Sequence, residues 1–175
     1  EVSVSEMVDA YTTFVNKGTR VEPMYVTRIE DNKGNIISTF TPQYTEIISE
    51  ETSHKMLEML KAVINEGTGV RLRYRYQFKG DIGGKTGTTQ NNSDGWFIGV
   101  TPELVSGTWV GGEDRSIHFD NLREGQGASM ALPVWALYMQ KVYADETLGY
   151  SDTVKFDIPE HLHKEYKECV SNIKR

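Results

Sequence analysis

The stretch of this sequence best suited to chemistry is residues 83–89, which place a lysine among glycines and threonines in the order Gly-Gly-Lys-Thr-Gly-Thr-Thr. A phosphate-binding loop would need a glycine, four further residues and then Gly-Lys-Thr. The position of that first glycine is Lys79, and Gly80 misses it by one residue. Such a loop must also run into a helix whose N-terminus holds the anion, whereas residues 90–95 have turn composition and precede a β-rich segment. These departures disfavour nucleotide binding.

The same residues suit a serine acyltransferase site, to which a Lys-Thr-Gly motif belongs. An edge strand offers free backbone groups to an extended peptide, and Gly87 would let a substrate backbone lie close against that edge. Lys85 would bring a positive charge to a substrate carboxylate, to which Thr86 and Thr88 would donate hydroxyl groups. The backbone N–H of Thr88 would serve as an oxyanion donor. On the tripeptide alone, a simple turn between two strands is the favoured interpretation.

Three helices are predicted around this motif. Residues 3–6 have the Ser-x-x-Glu form of a capping box and are followed by apolar residues at helical spacing up to Gly18. A second helix runs from about Ser49 and ends at Gly67. The last helix is expected from about residue 129 to 144, with Pro133 in its first turn.

The β candidates separate these helices. Residues 25–29 and 35–40 flank the turn sequence Asp-Asn-Lys-Gly and predict a hairpin. Residues 78–88, 95–101 and 105–111 follow in quick succession and predict an antiparallel meander. The resulting fold class is α+β, an antiparallel sheet flanked by helices.

Residues 1–148 are expected to form the folded domain. Residues 149–175 are polar, rich in Lys, Glu and His, and are expected to be a C-terminal tail. Within that tail, residues 160–165 hold the one cluster of potential metal ligands that the sequence offers, and a solvated helix face is the favoured interpretation. No metal and no cofactor are predicted.

Charge and composition argue against several classes of function. The 175 residues carry 19 Lys plus Arg and 25 Asp plus Glu, a net charge of −6, which is unfavourable for nucleic-acid binding. Residues 71–79 alternate basic with apolar or aromatic side chains, and the favoured interpretation is a strand with one solvated and one buried face. The single Cys169 excludes an internal disulfide framework. The three tryptophans are expected to pack the sheet against the helices.

Several spaced motifs together resemble one family. They are, in chain order, residues 5–18, 67–69, 83–89, 94–99 and 107–111. This series resembles the transpeptidase domain of class A penicillin-binding proteins, the bifunctional peptidoglycan synthases, from about residue 3 to about residue 145. The resemblance implies a partial penicillin-binding transpeptidase fold, similar to the serine β-lactamases.

In that family a serine attacks the D-Ala-D-Ala end of a peptidoglycan stem peptide, or a β-lactam, and forms an acyl-enzyme. The serine lies in a Ser-x-x-Lys motif, which precedes Ser-x-Asn and then Lys-Thr-Gly. Only the third motif is in its place here: no Ser-x-Asn occurs, and the one Ser-x-x-Lys, at Ser171, follows Lys85 instead of preceding it. Ser171 is therefore interpreted as a chance match, and this chain as the C-terminal part of the domain without its nucleophile. The isolated chain is expected to be inactive.

The resemblance also implies roles and partners. Lys85, Thr86, Gly87 and Thr88 would belong to the catalytic machinery, with Thr86, Thr88 and Thr89 binding substrate. The expected partners are the stem peptide, β-lactams and the missing N-terminal half of the domain, with self-association of the isolated chain because apolar surface would be left uncovered. The parent would act in the periplasm, at the extracytoplasmic face of the bacterial cytoplasmic membrane, anchored through an upstream segment.

Three other functions remain open from the residues. A nucleotide-binding protein, which the spacing disfavours, would bind ATP through Lys85. A D,D-carboxypeptidase or β-lactamase relative would share Lys-Thr-Gly and differ in its acyl acceptor. A non-catalytic module would bind cell-wall peptides without turnover.

Overall fold

The computed structural model describes residues 2–164 and 166. Its helices are α1 (Val4–Val15), α2 (Glu50–Asn65), α3 (Arg71–Tyr74), α4 (Leu122–Gly125) and α5 (Gly127–Ala144). Its strands are β1 (Thr19–Val21), β2 (Arg28–Glu30), β3 (Ile36–Thr39), β4 (Tyr44–Glu46), β5 (Gly83–Thr88), β6 (Asp94–Val100) and β7 (Val105–Gly111). Single 3-10 turns occupy Gln90–Asn92 and Glu146–Leu148.

The central sheet is an antiparallel meander in the order β5-β6-β7, as the sequence predicts. Successive side chains of a strand point to opposite faces, and both faces are covered. Phe97 packs on Trp135 of α5, with ring centroids 5.2 Å apart. On the other face, Gly107 is so close to α1 that an added Cβ would lie 2.8 Å from Val8 Cγ2. The predicted α+β architecture, a sheet flanked by helices, is confirmed.

The core lies mainly between α5 and the sheet. Trp135 and Phe97 are fully buried there, and the Trp135 indole N–H donates to Ser106 Oγ at 2.7 Å. A smaller cluster of buried residues, Leu57, Leu60 and Val100, packs under α2. The expectation that the tryptophans pack the sheet against the helices therefore holds for Trp135, whereas Trp109 is 41% exposed.

Local signals locate the first two helices correctly. Ser3 and Glu6 form the predicted capping box, with the Ser3 N–H donating to Glu6 Oε2 at 2.7 Å. Ser49 caps α2 by accepting from the Thr52 N–H. Gly18 follows α1 at φ +87°, and a Cβ there would lie 2.1 Å from the Ile48 carbonyl oxygen. Only glycine suits both the backbone angle and the space.

The predicted hairpin forms between β2 and β3. Asp31 closes its turn by accepting hydrogen bonds from the backbone N–H groups of Lys33 and Asn35 at 2.8 and 2.9 Å. A second ribbon, in which β1 pairs with β4, is absent from the sequence-based prediction because three-residue strands carry too little periodicity to detect.

Three predictions about secondary structure are wrong. Residues 71–74 form helix α3 instead of a strand, because Leu72 is buried while Arg73 folds back to the carbonyl oxygens of Phe78 and Gly80 at 3.0 and 2.8 Å. The strand predicted over residues 78–88 begins only at Gly83. Helix α5 begins at Gly127, so that Pro133 lies inside it and not in its first turn.

The C-terminal residues contact the body of the domain as far as they are described. Leu162 is buried, and Phe156 and Ile158 pack against the cluster under α2. The division of the chain at residue 148 stays a prediction, but the part from 149 to 164 is more closely packed than the polar tail that the sequence suggests. Among the described residues, no helix has the length and apolar character needed to cross a membrane.

Candidate functional site

Strand β5 carries the Lys-Thr-Gly motif at one edge of the three-stranded sheet. Its first two residues are buried glycines that pack against α2: a Cβ on Gly83 would lie 3.0 Å from Leu60 Cβ, and one on Gly84 would lie 3.2 Å from Ile64 Cδ1. From Lys85 onwards the strand is half-buried or exposed. The two glycines therefore hold the start of β5 against α2, and Lys-Thr-Gly follows directly in the more exposed part of the strand.

The direction of the backbone groups follows from one hydrogen bond. The Thr89 N–H donates to the Asp94 carbonyl oxygen at 3.1 Å, and this pair continues the β5–β6 register. Hydrogen-bonded and non-hydrogen-bonded pairs alternate in an antiparallel ladder. Lys85 therefore directs its backbone N–H and C=O toward β6, whereas Thr86 and Thr88 direct theirs away from the sheet. The exposed part of β5 therefore directs the backbone groups of these two residues to the open edge, clear of the hydrogen bonds that join β5 to β6.

The side chains alternate as well. Lys85 is exposed, and its Nζ donates to the Thr86 carbonyl oxygen at 2.7 Å, so the ammonium lies over the open edge. Thr86 points to the opposite face, where its hydroxyl lies 2.7 Å from the hydroxyl of Thr68. Gly87 shares the face of Lys85, and an added Cβ would lie 3.0 Å from Trp96 Cβ. Close packing against Trp96 thus favours glycine at this position whether or not a ligand binds.

The two remaining threonines contact protein groups. Thr88 Oγ1 accepts from the Gly127 N–H at 3.0 Å, and thereby joins the motif to the start of α5. Thr89 Oγ1 accepts from the Asp94 N–H at 3.0 Å and lies 3.0 Å from Ser93 Oγ. It closes the β5–β6 connection, so its predicted contact with substrate stays a prediction.

An apolar cleft of ≈ 360 Å³ adjoins the motif on the α1 face of the sheet. Lys85 and its neighbours up to Thr89 form one wall, and Met7 and Tyr11 of α1 form another. Burial raises the pKa of the Tyr11 phenol, so this side chain is neutral in the physiological range. The cleft combines an apolar wall, a cationic group and a free strand edge.

The site roles of two further residues were not predicted. Thr68, in the connection after α2, adds a hydroxyl beside Thr86, and the glycines on either side of it are the one local signal for a tight connection there. Gly127 lies so close to the motif that a Cβ would be 2.1 Å from the Gly87 carbonyl oxygen. No local pattern identifies that contact.

Other candidates do not join this site. The strand continues into a 3-10 turn and then β6, so the phosphate-loop architecture, which requires a following helix, is absent at the motif. Within residues 2–164, no group of three His, Cys, Asp or Glu side chains is arranged to hold a metal. Glu165, Cys169 and Ser171 lie outside the described residues.

Comparison with known proteins assigns the family. Residues 1–111 match the family described as the penicillin binding protein transpeptidase domain. Penicillin-binding protein 1A of Aquifex aeolicus is 32% identical over 142 residues, covering 81% of this chain and 19% of that protein. The chain thus spans about a fifth of the length of such curated relatives.

Solved structures show the same fold. Penicillin-binding protein 1A from Haemophilus influenzae superposes with a TM-score of 0.73 at 24% identity, covering 88% of this chain and 28% of that chain. The imipenem acyl-enzyme of penicillin-binding protein A from M. tuberculosis gives a TM-score of 0.59 at 18% identity, covering 79% and 31%. The match over residues 1–111 and these folds agree with the motifs of the sequence. The chain therefore belongs to the penicillin-binding protein transpeptidase family.

Proposed function

We propose that this chain is the C-terminal part of a D,D-transpeptidase domain and supplies the strand on which the peptidoglycan stem peptide binds. The observation that carries the proposal is the exposed edge of β5, where the backbone groups of Thr86 and Thr88 point away from the sheet beside the Lys85 ammonium. An extended peptide would pair with these groups as an additional antiparallel strand.

The terminal carboxylate of a D-Ala-D-Ala peptide would lie near Lys85. Its ammonium uses one of three N–H donors on the Thr86 carbonyl oxygen, which leaves two for a carboxylate. Thr86 and Thr88 would each donate a hydroxyl hydrogen to this carboxylate. The Thr88 hydroxyl is available for this because its oxygen accepts from the Gly127 N–H and its hydrogen is not used in that contact. Thr89 would contribute at the end of the strand, and Gly87 would keep the approach to the edge unobstructed.

The reaction would be serine acyl transfer. A serine Oγ attacks the carbonyl carbon between the two D-alanines, and its proton passes through a general base to the nitrogen of the departing D-alanine. The outward N–H of Thr88 would stabilise the oxyanion of the tetrahedral intermediate. An amine of a second stem peptide then attacks the ester, completes the cross-link and releases the serine. Serine and base would come from the preceding part of the domain, so the isolated chain would be inactive.

A penicillin would follow the first half of this path. Serine attack opens the lactam ring and leaves both halves of the former amide attached, so no leaving group departs and the acyl-enzyme gains the whole mass of the drug. The acyl-enzyme described for the M. tuberculosis relative is consistent with this expectation for the family.

Intact mass after incubation with a penicillin tests the proposal. The chain would be compared with a version extended upstream by about one domain length. We expect one adduct on the extended protein alone, and a much slower adduct when that protein carries Lys85→Ala. An adduct on the 175-residue chain would overturn the assignment of the nucleophile and bring Ser171 back into consideration. No adduct on either protein would favour a non-catalytic binding module.

We expect the parent to act in the periplasm, at the extracytoplasmic face of the cytoplasmic membrane, anchored by an upstream segment, because its substrate class is assembled there.

The isolated chain is expected to self-associate through apolar side chains that the rest of the domain would cover. Exposed examples are Val134, Leu137 and Tyr138 on α5 and Trp109 on β7. Sedimentation velocity that shows a monodisperse monomer would contradict this expectation.

A further inference from the structure

The residues that lead into β5 are held by a segment from the far end of the chain. We call residues 150–164 the C-terminal strap. It crosses the chain at Gly80, where an added Cβ would lie 2.6 Å from the Asp152 carbonyl oxygen. Only two residues separate this crossing from Gly83, the first residue of β5.

Asp81 is the central contact of this crossing. Its Oδ2 accepts from the Phe156 N–H of the strap at 3.2 Å, and its Oδ1 lies 3.3 Å from Lys61 Nζ of α2. The Asp81 and Lys61 side chains are 17% and 14% exposed, so water screens the pair poorly. The Asp81 carboxylate thus joins the segment before β5 to both α2 and the strap.

The polar contacts extend along α2 to the end of the strap. Lys61 Nζ also lies 3.2 Å from Glu58 Oε1, and that oxygen lies 3.2 Å from His163 Nδ1. Glu58 is almost fully buried, so its carboxyl oxygen depends on these partners for hydrogen bonding.

Apolar packing connects the same elements. Phe156 and Ile158 of the strap pack against Leu57, Leu60 and Val100. Leu60 also contacts the start of β5, since a Cβ on Gly83 would lie 3.0 Å from its Cβ. The strap and the strand therefore share one wall of α2.

We propose that the C-terminal strap, acting through Asp81, positions the lysine-bearing strand β5. Within the described sheet, β5 has a partner strand on one side alone, so its other constraints come from α2 and from the residues that precede it. Asp81 touches neither substrate nor the motif and is a positioning residue. Its consequence for catalysis rests on the proposed function, whereas its effect on the strand does not.

Amide hydrogen exchange on the whole chain tests the proposal. The N–H groups of Lys85 and Gly87 point toward β6, and their exchange reports the attachment of β5. Asp81→Ala removes the acceptor for Phe156 and a partner of Lys61. We expect exchange at both amides to become faster by about tenfold, while the amides of Phe97 and Gly99, which face β7, change by less than about twofold.

Three further variants sharpen the test. Asp157→Ala removes an exposed strap carboxylate that pairs with Lys17 at 3.2 Å, and should leave β5 unchanged. Asp81→Asn keeps an oxygen for the Phe156 N–H but loses the charge, so we expect an intermediate acceleration of exchange in β5. If Asp81→Ala does not fold, Asp81→Asn provides the measurement in its place. Asp81→Glu, which retains the charge, should restore part of the protection.

Equal acceleration at all measured amides of Asp81→Ala and Asp81→Asn would show a general loss of stability and overturn the proposal, as would unchanged exchange in β5. Because the measurement requires neither a penicillin nor a nucleophile, its failure would leave the acyl-transfer proposal intact. Failure of acylation would equally leave the role of Asp81 standing.

Discussion

The hydroxyl oxygen of Thr88 lies 3.0 Å from the backbone nitrogen of Gly127, so the last residue of β5 accepts a hydrogen bond from the first residue of α5. A helix leaves its first N–H groups without partners inside the helix. The residue before α5, Gln126, provides no side-chain cap. The motif strand therefore caps the 18-residue helix that covers one face of its own sheet.

Removing the Thr88 hydroxyl should destabilise the domain. Thr88→Val keeps the shape but leaves the Gly127 N–H without its acceptor, and we expect the free energy of unfolding to fall by about 1–2 kcal/mol. Thr88→Ser retains the oxygen and should cost less than half as much. Urea unfolding followed by far-UV circular dichroism measures both. Equal midpoints for the valine variant and the original chain would show that water replaces the hydroxyl.

Gly127 should tolerate no side chain. In Gly127→Ala the new Cβ would lie 2.1 Å from the Gly87 carbonyl oxygen and 2.6 Å from that of Trp96. Both are backbone atoms, so the helix must move away from the sheet, and we expect a loss of about 2–4 kcal/mol in unfolding free energy. The control is Val134→Ala on the exposed side of the same helix, which should cost under about 1 kcal/mol. A stability loss no larger than that of the control would contradict the packing described.

The hydrogen bond from Trp135 to Ser106 should be a measurable part of core stability. Trp135 is fully buried, so Ser106→Ala leaves the indole N–H unpaired at a cost of about 1–3 kcal/mol. In a Trp135→Phe background no indole N–H exists, and Ser106→Ala should then cost much less. Thermal or urea unfolding of the four proteins completes the cycle. Equal costs of Ser106→Ala in both backgrounds would mean that the hydrogen bond contributes nothing.

Much of the architecture could be predicted because its signals are local. The start of α1 follows from Ser3 and Glu6, which are neighbours on the first helical turn. The meander follows from short β-rich segments joined by turn residues, and Lys85 lies at its edge because its strand is the first of the three. These features depend on residues a few positions apart.

What could not be predicted depends on distant contacts. Helix α5 begins earlier than expected because its cap comes from Thr88, 39 residues upstream. The short helix α3 replaces a predicted strand because the carbonyl groups of Phe78 and Gly80 accept from Arg73. The strap looks like a polar tail because its contacts with the body rely on isolated side chains such as Phe156 and Leu162. Sparse apolar residues carry no periodicity from which burial could be inferred.

The turn of the β2–β3 hairpin should contribute to acid sensitivity. The Asn35 side-chain amide donates to Asp31 Oδ2 at 2.7 Å, and together with the backbone N–H groups of Asn35 and Lys33 it lowers the pKa of the Asp31 carboxyl below its ordinary value of 3.8. A lowered pKa in the folded state means that the ionised form is favoured by folding. This contribution is therefore present above the unfolded pKa and is lost as the pH falls through the folded pKa.

Asp31→Asn removes this titration while keeping the size of the side chain. The urea midpoint of the original chain should drop between about pH 7 and about pH 3, and the drop should be smaller in the variant. Glu6→Gln offers an independent comparison, because hydrogen bonds from Ser3 lower the pKa of Glu6 in the capping box of α1. The two carboxylates lie in different elements and share no hydrogen bond, so the double variant should show the sum of the two reductions. An unchanged drop in Asp31→Asn would mean that the hairpin turn is already open under acid conditions, and that carboxylates elsewhere account for the acid sensitivity of the domain.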